Sequence, residues 1–238
     1  PSGMVSNILE SQLTTFGGNV HAIVILGTFD DCQSLVKRAF RDPELQTEIQ
    51  LASANSINIA RLIPQMFYYL YVAGQLATRA PILISVPSGN FGNLTAGLMA
   101  KKLGLDNVRF VAATNSNSVV PDYLASGNFT PRPSEPTISN AMDVGNPSNF
   151  PRMLELYGGN LEALRADVKG RAFSDDQTRN AMKRTYDTQQ YILDPHGAVA
   201  LLGLEAFQPS EPDAVGVFLE TAHPAKFLDV VSPTLGIE

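Results

Sequence analysis

The stretch VPSGNFGNLTAGLMAKKLG, residues 86–104, decides the fold. It begins at the end of an apolar run, residues 82–86, which predicts a buried strand, and it continues into a helical pattern over residues 93–103. Gly89 and Gly92 free the backbone between these two elements. Such a turn directs unpaired N–H groups and the positive end of the helix dipole toward one point. It can therefore hold a phosphate without a basic side chain.

The ligand that this turn favours is a small phosphate monoester. Ser88, Asn90 and Asn93 add neutral polar side chains to it. Neither a GxxxxGK[ST] nor a GxGxxG pattern occurs in the sequence, which disfavours a nucleoside triphosphate and a dinucleotide. A purely structural turn, whose glycines serve only the shape of the backbone, stays open as the alternative.

The surrounding pattern predicts an α/β fold with a parallel sheet. A second apolar run, residues 108–113, follows the helix, so strand, glycine turn, helix and strand form a βαβ unit. A long helix is predicted over residues 59–76, and residues 115–149 predict long loops with short helices because they are rich in Asn, Ser, Pro and Gly. Later patterns predict helices over residues 150–157, 175–189 and 197–207, a strand over residues 215–220 and a last helix after Pro224.

The beginning of the chain predicts a separate small α/β segment. Residues 20–26 have the composition of a strand, and two helical patterns follow them. The composition changes near Leu51. We therefore expect residues 1–50 to belong to a small α/β domain and residues 51–238 to form the large domain that carries the glycine turn.

Composition argues against several classes of function. The 238 residues are 44% hydrophobic and 17% charged, with a net charge of −6 and no dense run of Lys or Arg, so binding to nucleic acid or to an anionic membrane is not expected. No apolar stretch reaches the roughly 18 residues of a membrane span. The single Cys32 cannot form an internal disulfide or a Cys-rich zinc site, and we expect no metal. These features predict a cytoplasmic protein.

Polar residues elsewhere in the sequence could complete a site with the turn. Asn55 and Arg61 lie at the start of the long helix, and Arg61 could pair with a carboxylate or phosphate, although a helix cap with a surface arginine is the simpler explanation. Thr221 follows the predicted strand over residues 215–220. Ligands bind at the carboxyl ends of strands in open α/β sheets, so Thr221 and the glycine turn could share one crevice, unless Thr221 is only a helix cap. His196 precedes a helix, where a structural role is common.

Five motifs, in this order and at these separations, resemble those of the threonine synthase family. They are SANSIN at 53–58, VPSGNFGNLTAGL at 86–98, AATN at 112–115, SNAMD at 139–143 and TAHPAKF at 221–227. The similarity covers essentially the whole chain. It implies fold type II of the pyridoxal-phosphate enzymes, a parallel-sheet architecture like that of the tryptophan synthase β subunit, here incomplete.

The resemblance implies pyridoxal 5'-phosphate as the cofactor. In the family, the glycine turn binds the cofactor phosphate and a hydroxyl faces the pyridine nitrogen, which leaves the ring unprotonated. The residues that the resemblance implies in cofactor binding are Ser88, Gly89, Asn90, Phe91, Gly92, Asn93 and Thr221. It also implies that Asn55 and Arg61 bind the phosphate or polar end of the substrate.

The activity that the resemblance implies belongs to an intact enzyme, which would convert O-phospho-L-homoserine and water to L-threonine and phosphate. In the family, the lysine that attaches the cofactor lies in an FKD-type motif, and no FKD occurs in this chain. The chain also opens with Pro1 and lacks the family's SGDTG-type loop. We therefore expect a C-terminal portion that has no catalytic residue of its own and is inactive without the missing N-terminal segment.

Other functions stay open. A dehydratase or a sulfhydrylase of the same cofactor class would share the glycine turn, although SANSIN and TAHPAKF favour the synthase. A non-catalytic phosphate-binding or interaction module would describe the isolated portion. An FKD-containing segment before Pro1 would support the enzyme, and a native start at Pro1 would support the module.

Overall fold

The structure, a computed structural model, describes residues 7–56 and 58–237. The chain divides into two compact units, residues 1–53 and residues 54–238. This division lies close to the predicted boundary at Leu51. The described part of the first unit contains helices α1 (Asn7–Thr14), α2 (Phe29–Ala39) and α3 (Pro43–Glu48).

The predicted strand over residues 20–26 does not form. No strand of the described chain pairs with this segment, and Ile23, Val24 and Leu26 are 84%, 61% and 92% exposed. A strand requires a neighbouring strand for its backbone hydrogen bonds. An apolar run without such a neighbour is not sufficient, whereas the two helices predicted after it are confirmed. Helix α2 begins at a capping box in which Thr28 and Asp31 exchange hydrogen bonds.

The second unit alternates strands and helices. Its elements are a 3-10 turn (Ile59–Arg61), α4 (Leu62–Leu76), β1 (Ile82–Pro87), α5 (Gly92–Lys102), β2 (Val108–Thr114), α6 (Val119–Ser126), a 3-10 turn (Asn140–Met142), α7 (Phe150–Leu156), α8 (Leu161–Asp167), β3 (Val168–Ala172), α9 (Asp175–Gln189), α10 (Pro195–Phe207), a 3-10 turn (Gln208–Ser210), β4 (Val215–Phe218), a 3-10 turn (Pro224–Phe227) and α11 (Leu228–Leu235). The sequence did not predict α8 or β3.

The four strands form one parallel sheet in the order β3-β2-β1-β4. The predicted α/β fold with a parallel sheet is therefore confirmed. Every residue of β1 is buried, as expected for a central strand that is covered on both faces. Since the strands are parallel, the carboxyl ends of β1 and β4 meet at the same edge of the sheet, and the segments after Pro87 and after Phe218 are brought together there.

Helices cover both faces of the sheet. Ile82, Ile84 and Val86 pack on one face with α4 and α5 in the main hydrophobic core. On the other face α10 approaches so closely that a Cβ on Gly203 would lie 2.5 Å from the Oγ atom of Ser85. The described part of the chain contains no helix long and apolar enough to cross a membrane.

A second close approach lies inside the main core. Tyr69 of α4 meets Phe110 of β2 edge to face, with 5.7 Å between ring centroids. Gly97 of α5 leaves room for this pair, because a Cβ there would lie 2.7 Å from the Phe110 ring and 2.9 Å from the Tyr69 ring. The position of α5, and thus of the turn that precedes it, depends on this contact.

We predict that Gly97→Ala destabilises the protein, because the added methyl group forces two packed rings apart. Overpacking of this kind costs about 1–3 kcal/mol. The matched control is Gly74→Ala at an exposed position of helix α4, where the added Cβ has nothing within 4 Å. The control should be neutral or more stable by up to about 1 kcal/mol. Urea unfolding of both variants measures the difference, and an equal free energy of unfolding for the two would contradict the packing argument.

Candidate functional site

The glycine turn, residues 88–93, joins β1 to α5. The Ser88 N–H donates to the carbonyl of Ala113 at 3.0 Å and extends the pairing with β2 by one step. The Asn93 side chain then closes the turn: its amide group donates to the Pro87 carbonyl at 2.8 Å, and its oxygen accepts from the Ser88 hydroxyl at 3.0 Å. The polar side chains of the turn therefore hold its own backbone.

In this turn, carbonyl groups accept hydrogen bonds from the rest of the protein, whereas most of the N–H groups have no acceptor among the described residues. The carbonyl of Asn90 accepts from Asn149, that of Phe91 from Thr95, and that of Asn93 from Tyr69. Within the described part of the chain, none of the five N–H groups from Gly89 to Asn93 has an acceptor. These donors lie at the positive end of α5, so the arrangement suits an anion.

The glycines of the turn serve close approach rather than an unusual backbone conformation. A Cβ on Gly89 would lie 2.5 Å from the Cα atom of Met142, and one on Gly92 would lie 3.2 Å from the Cβ atom of Ser56. The left-handed residue is Phe91, with φ at 61° and a 2% exposed side chain. Such a conformation costs about 1–3 kcal/mol and persists only when its surroundings enforce it.

A network of amides and hydroxyls braces the turn from the side of Ser56. The Ser56 hydroxyl accepts from the side chains of Asn90 and Asn149, each at 3.0 Å. The Asn90 oxygen in turn accepts from the Ser148 N–H at 2.6 Å. Arg152 donates to the Ser56 carbonyl at 2.7 Å. Two further chain segments, one at Ser56 and one at residues 148–152, are thereby joined to the glycine turn.

A second network holds the 3-10 turn that packs on Gly89. Asn115, at the end of β2, donates to Asp143 at 2.8 Å, and the Thr137 hydroxyl donates to the same carboxylate oxygen at 2.7 Å. Burial raises the pKa of Asp143, although the hydrogen bonds from Thr137 and Asn115 act in the opposite direction. The AATN and SNAMD motifs are thus connected directly, which explains why both accompany the glycine turn.

A cavity of about 860 Å³ opens at this edge of the sheet. It contains most of the predicted site: Gly89, Asn90, Phe91, Gly92, Asn93, Arg61 and Thr221 line it. The predicted residues Ser88 and Asn55 do not line it. Ser88 is buried behind the turn, and Asn55 accepts a hydrogen bond from Ser56 at 3.2 Å. The common crevice expected for Thr221 and the turn is therefore present.

Sequence reasoning left the other wall of the cavity unassigned. His196 lines it and is 2% exposed, and its Nδ1 atom lies 2.7 Å from the Oδ1 atom of fully buried Asp194. Glu220 lines it too and accepts from the Tyr191 hydroxyl at 2.5 Å. Partial burial, with a contribution from the negative charge of Asp194, raises the pKa of Glu220 despite the hydrogen bond from Tyr191. The sequence signal that could have indicated this wall is DPH, residues 194–196, at the start of α10.

These features define an α/β protein with a cavity suited to an anion at the carboxyl ends of its parallel strands. The family model described as pyridoxal-phosphate dependent enzyme matches residues 4–219. The chain belongs to that family.

Individual relatives agree with this assignment. The threonine synthase of Haemophilus influenzae is 48% identical over all of this chain and 56% of its own length. The crystal structure of threonine synthase from Escherichia coli matches with a TM-score of 0.91 and 45% identity, over 100% of this chain and 55% of that one. The structure of PLP-bound threonine synthase from Brucella melitensis matches with a TM-score of 0.84 and 34% identity, over 100% and 56%. The chain thus spans about half the length of these relatives.

We predict that Asn149→Ala destabilises the protein, because Asn149 is fully buried and its loss leaves the Asn90 carbonyl without a donor. Leaving a buried acceptor unsatisfied costs about 1–3 kcal/mol. Asn128→Ala is the control, since Asn128 is exposed and the described structure shows no hydrogen bond from its side chain. The control should stay within about 0.5 kcal/mol of the parent. Equal chemical denaturation midpoints for both variants would disprove the bracing role.

Proposed function

We propose that the intact protein is a threonine synthase that converts O-phospho-L-homoserine and water to L-threonine and phosphate. One observation carries the proposal: residues 89–93, whose N–H groups have no acceptor within the described chain, line the same cavity as Thr221 and Arg61. The relatives named threonine synthase, at up to 48% identity over the whole chain, support the particular reaction.

The residues of the turn fit the phosphate of pyridoxal phosphate. Unpaired N–H groups, the end of a helix and a glycine pressed against Met142 leave a concave backbone surface that accepts an anion. Ser88 and Asn93 keep this surface in shape, while Asn90 ties it to Ser56. When bound, the cofactor would supply an electron sink for bond changes next to the amino group of the substrate.

Thr221 is proposed to face the ring nitrogen of the cofactor. It lies just beyond β4, which pairs with β1, so it stands across the cavity from the turn. A hydroxyl has no charge with which to hold a proton on the ring, so the ring nitrogen stays an acceptor. Thr221 therefore orients the ring without protonating it.

Arg61 is proposed to bind the anionic end of the substrate, with Asn55 as a neighbour. A guanidinium group suits this task because it pairs with a carboxylate or phosphate through two parallel hydrogen bonds. Tyr69, by contrast, has a structural role at the floor of the site. Its hydroxyl donates to the Asn93 carbonyl at 2.6 Å, and complete burial raises its pKa, so it remains protonated.

We also propose that the lysine that attaches the cofactor lies outside this chain. No lysine lines the cavity within the described residues. Lys226 is the nearest in sequence to Thr221, but it belongs to the 3-10 turn after His223 and lines a neighbouring cavity, which shares Glu220 and Thr221 with the first one. Cofactor attachment and proton transfer at carbon would then depend on a preceding segment. Cytoplasmic localisation stays a prediction.

We expect the 238-residue chain to form no covalent adduct with pyridoxal phosphate. Incubation with the cofactor, borohydride reduction and peptide mapping should label no lysine stoichiometrically, and no phosphate should be released from O-phosphohomoserine. An intact protein that includes the preceding gene segment should be labelled at a lysine before Pro1 and should release phosphate. Stoichiometric labelling of Lys226 together with turnover would overturn the proposed location of the lysine. Labelling without phosphate release, but with activity on another amino acid, would favour a dehydratase or sulfhydrylase.

Gly89→Ala should weaken binding of pyridoxal phosphate at least tenfold, because the added Cβ would lie 2.5 Å from the Met142 backbone and force the two turns apart. A tenfold change corresponds to about 1.4 kcal/mol. Gly74→Ala, whose Cβ meets nothing within 4 Å, is the control and should bind like the parent. Equilibrium titration of the intact protein by cofactor fluorescence makes the measurement. Unchanged affinity in a folded Gly89→Ala variant would contradict cofactor binding at this turn.

A further inference from the structure

One buried polar atom on the cavity wall has no role in the site described so far. It is the Nε2 atom of His196, which lines the cavity and has no hydrogen-bond partner in the described structure. The rest of the imidazole is firmly placed. Its Nδ1 atom lies 2.7 Å from Asp194, and its ring packs against Phe227 with 4.9 Å between centroids.

The Asp194 carboxylate is fixed as well. It caps α10 by accepting from the N–H groups of His196 at 2.8 Å and Gly197 at 3.3 Å. Because the carboxylate can only accept while it is ionised, the proton between it and the imidazole belongs on Nδ1. The Nε2 atom is therefore the unpartnered end of an oriented pair in the described structure, and its residue lines the cavity that the proposed ligand enters.

We propose that His196 contacts the ligand directly: when an oxyanion of the ligand enters this cavity, Nε2 takes up one proton from solvent and donates a hydrogen bond to that oxygen. The proposal rests on the proposed function, since pyridoxal phosphate and O-phosphohomoserine are both anions. The imidazole changes from neutral to positively charged, and no other bond is made or broken. His196 would then be a binding residue held in place by Asp194.

The charges around the cavity favour this uptake. Arg61 is the permanent cation among the described lining residues, and Glu220 brings a carboxylate to the same wall, against Gly197. An anion that enters beside these groups is stabilised by one additional positive charge. Two other titratable groups lie near this wall, and both already form hydrogen bonds. The Tyr191 hydroxyl donates to Glu220, and His223 accepts a hydrogen bond from the N–H of Ala225.

Two alternatives must be distinguished from this proposal. Glu220 could take up the proton instead of His196, or the Asp194–His196 pair could serve only to cap helix α10. A purely structural imidazole would keep its Nε2 atom unprotonated whether or not a ligand is bound. The protonation state of this one nitrogen therefore separates a ligand contact from a cap.

The test uses side-chain nitrogen NMR of the intact protein, labelled with ¹⁵N-histidine, at pH 7.5. The chain contributes three histidines, and single substitutions assign their signals. The His196 signal is the one missing from His196→Gln and retained in His21→Gln and His223→Gln. Spectra are recorded without ligand, with pyridoxal phosphate, and with inorganic phosphate, and cofactor binding is followed separately by absorbance.

Without ligand, we expect His196 to show a protonated Nδ1 and an unprotonated Nε2. Saturating pyridoxal phosphate should move Nε2 to the protonated range, in the parent and in Glu220→Gln alike. The same response to phosphate alone would assign the contact to a phosphate group. A response to the cofactor but not to phosphate would assign it to an oxygen substituent on the cofactor ring.

Two results would overturn the proposal, and they differ in what else they affect. If the cofactor binds and Nε2 stays unprotonated, or if proton uptake disappears only in Glu220→Gln, the His196 contact is wrong and the proposed function stands. If neither pyridoxal phosphate nor phosphate binds to the intact protein, the proposed function fails and this inference fails with it.

Discussion

The structure depends on keeping five adjacent backbone N–H groups of the glycine turn unpaired and fixed in position. Buried polar backbone groups normally find partners inside the protein, so such a turn must be held by contacts that do not use its N–H groups. The protein achieves this by fixing the carbonyls. Thr95, Asn149 and Tyr69 donate to three carbonyls of the turn. The five N–H groups from Gly89 to Asn93 have no acceptor within the described residues.

This constraint explains why residues far apart in the sequence belong to one site. Fixing the carbonyls requires a tyrosine from α4 and an asparagine from the start of α7, and the strained Phe91 requires tight packing around it. The 3-10 turn at Met142 closes the remaining side, where only glycine at position 89 leaves enough room. A hydrogen-bonded connection from Asn115 to Asp143 holds that turn to the end of β2. The motifs are therefore parts of one scaffold.

Sequence alone predicted the parallel sheet and most of the described helices, because buried strands and the strand-turn-helix unit have strong local signals. It failed where structure depends on partners. Residues 20–26 are apolar but lack a neighbouring strand, whereas Val168–Ala172 forms β3, with little apolar character, because β2 offers an edge. The sequence also did not show why position 89 requires glycine: the residue allows close approach to Met142, and the left-handed conformation falls on Phe91. The sequence of the turn alone predicts neither the contact of Gly89 with Met142 nor the left-handed conformation of Phe91.

Under the proposed function, an acidic chain binds a phosphorylated ligand because the groups that attract the anion act only at short range. The net charge of −6 repels anions at long range, but that field is screened over about 8–10 Å in physiological salt. Inside the cavity, neutral N–H groups and the helix end act at contact distance in a medium of low polarity, where they are more effective than on the surface. Positively charged side chains are needed only for the part of the ligand's negative charge that the N–H groups of the turn do not stabilise. In the described cavity wall those places are Arg61 and, under the proposed protonation, His196.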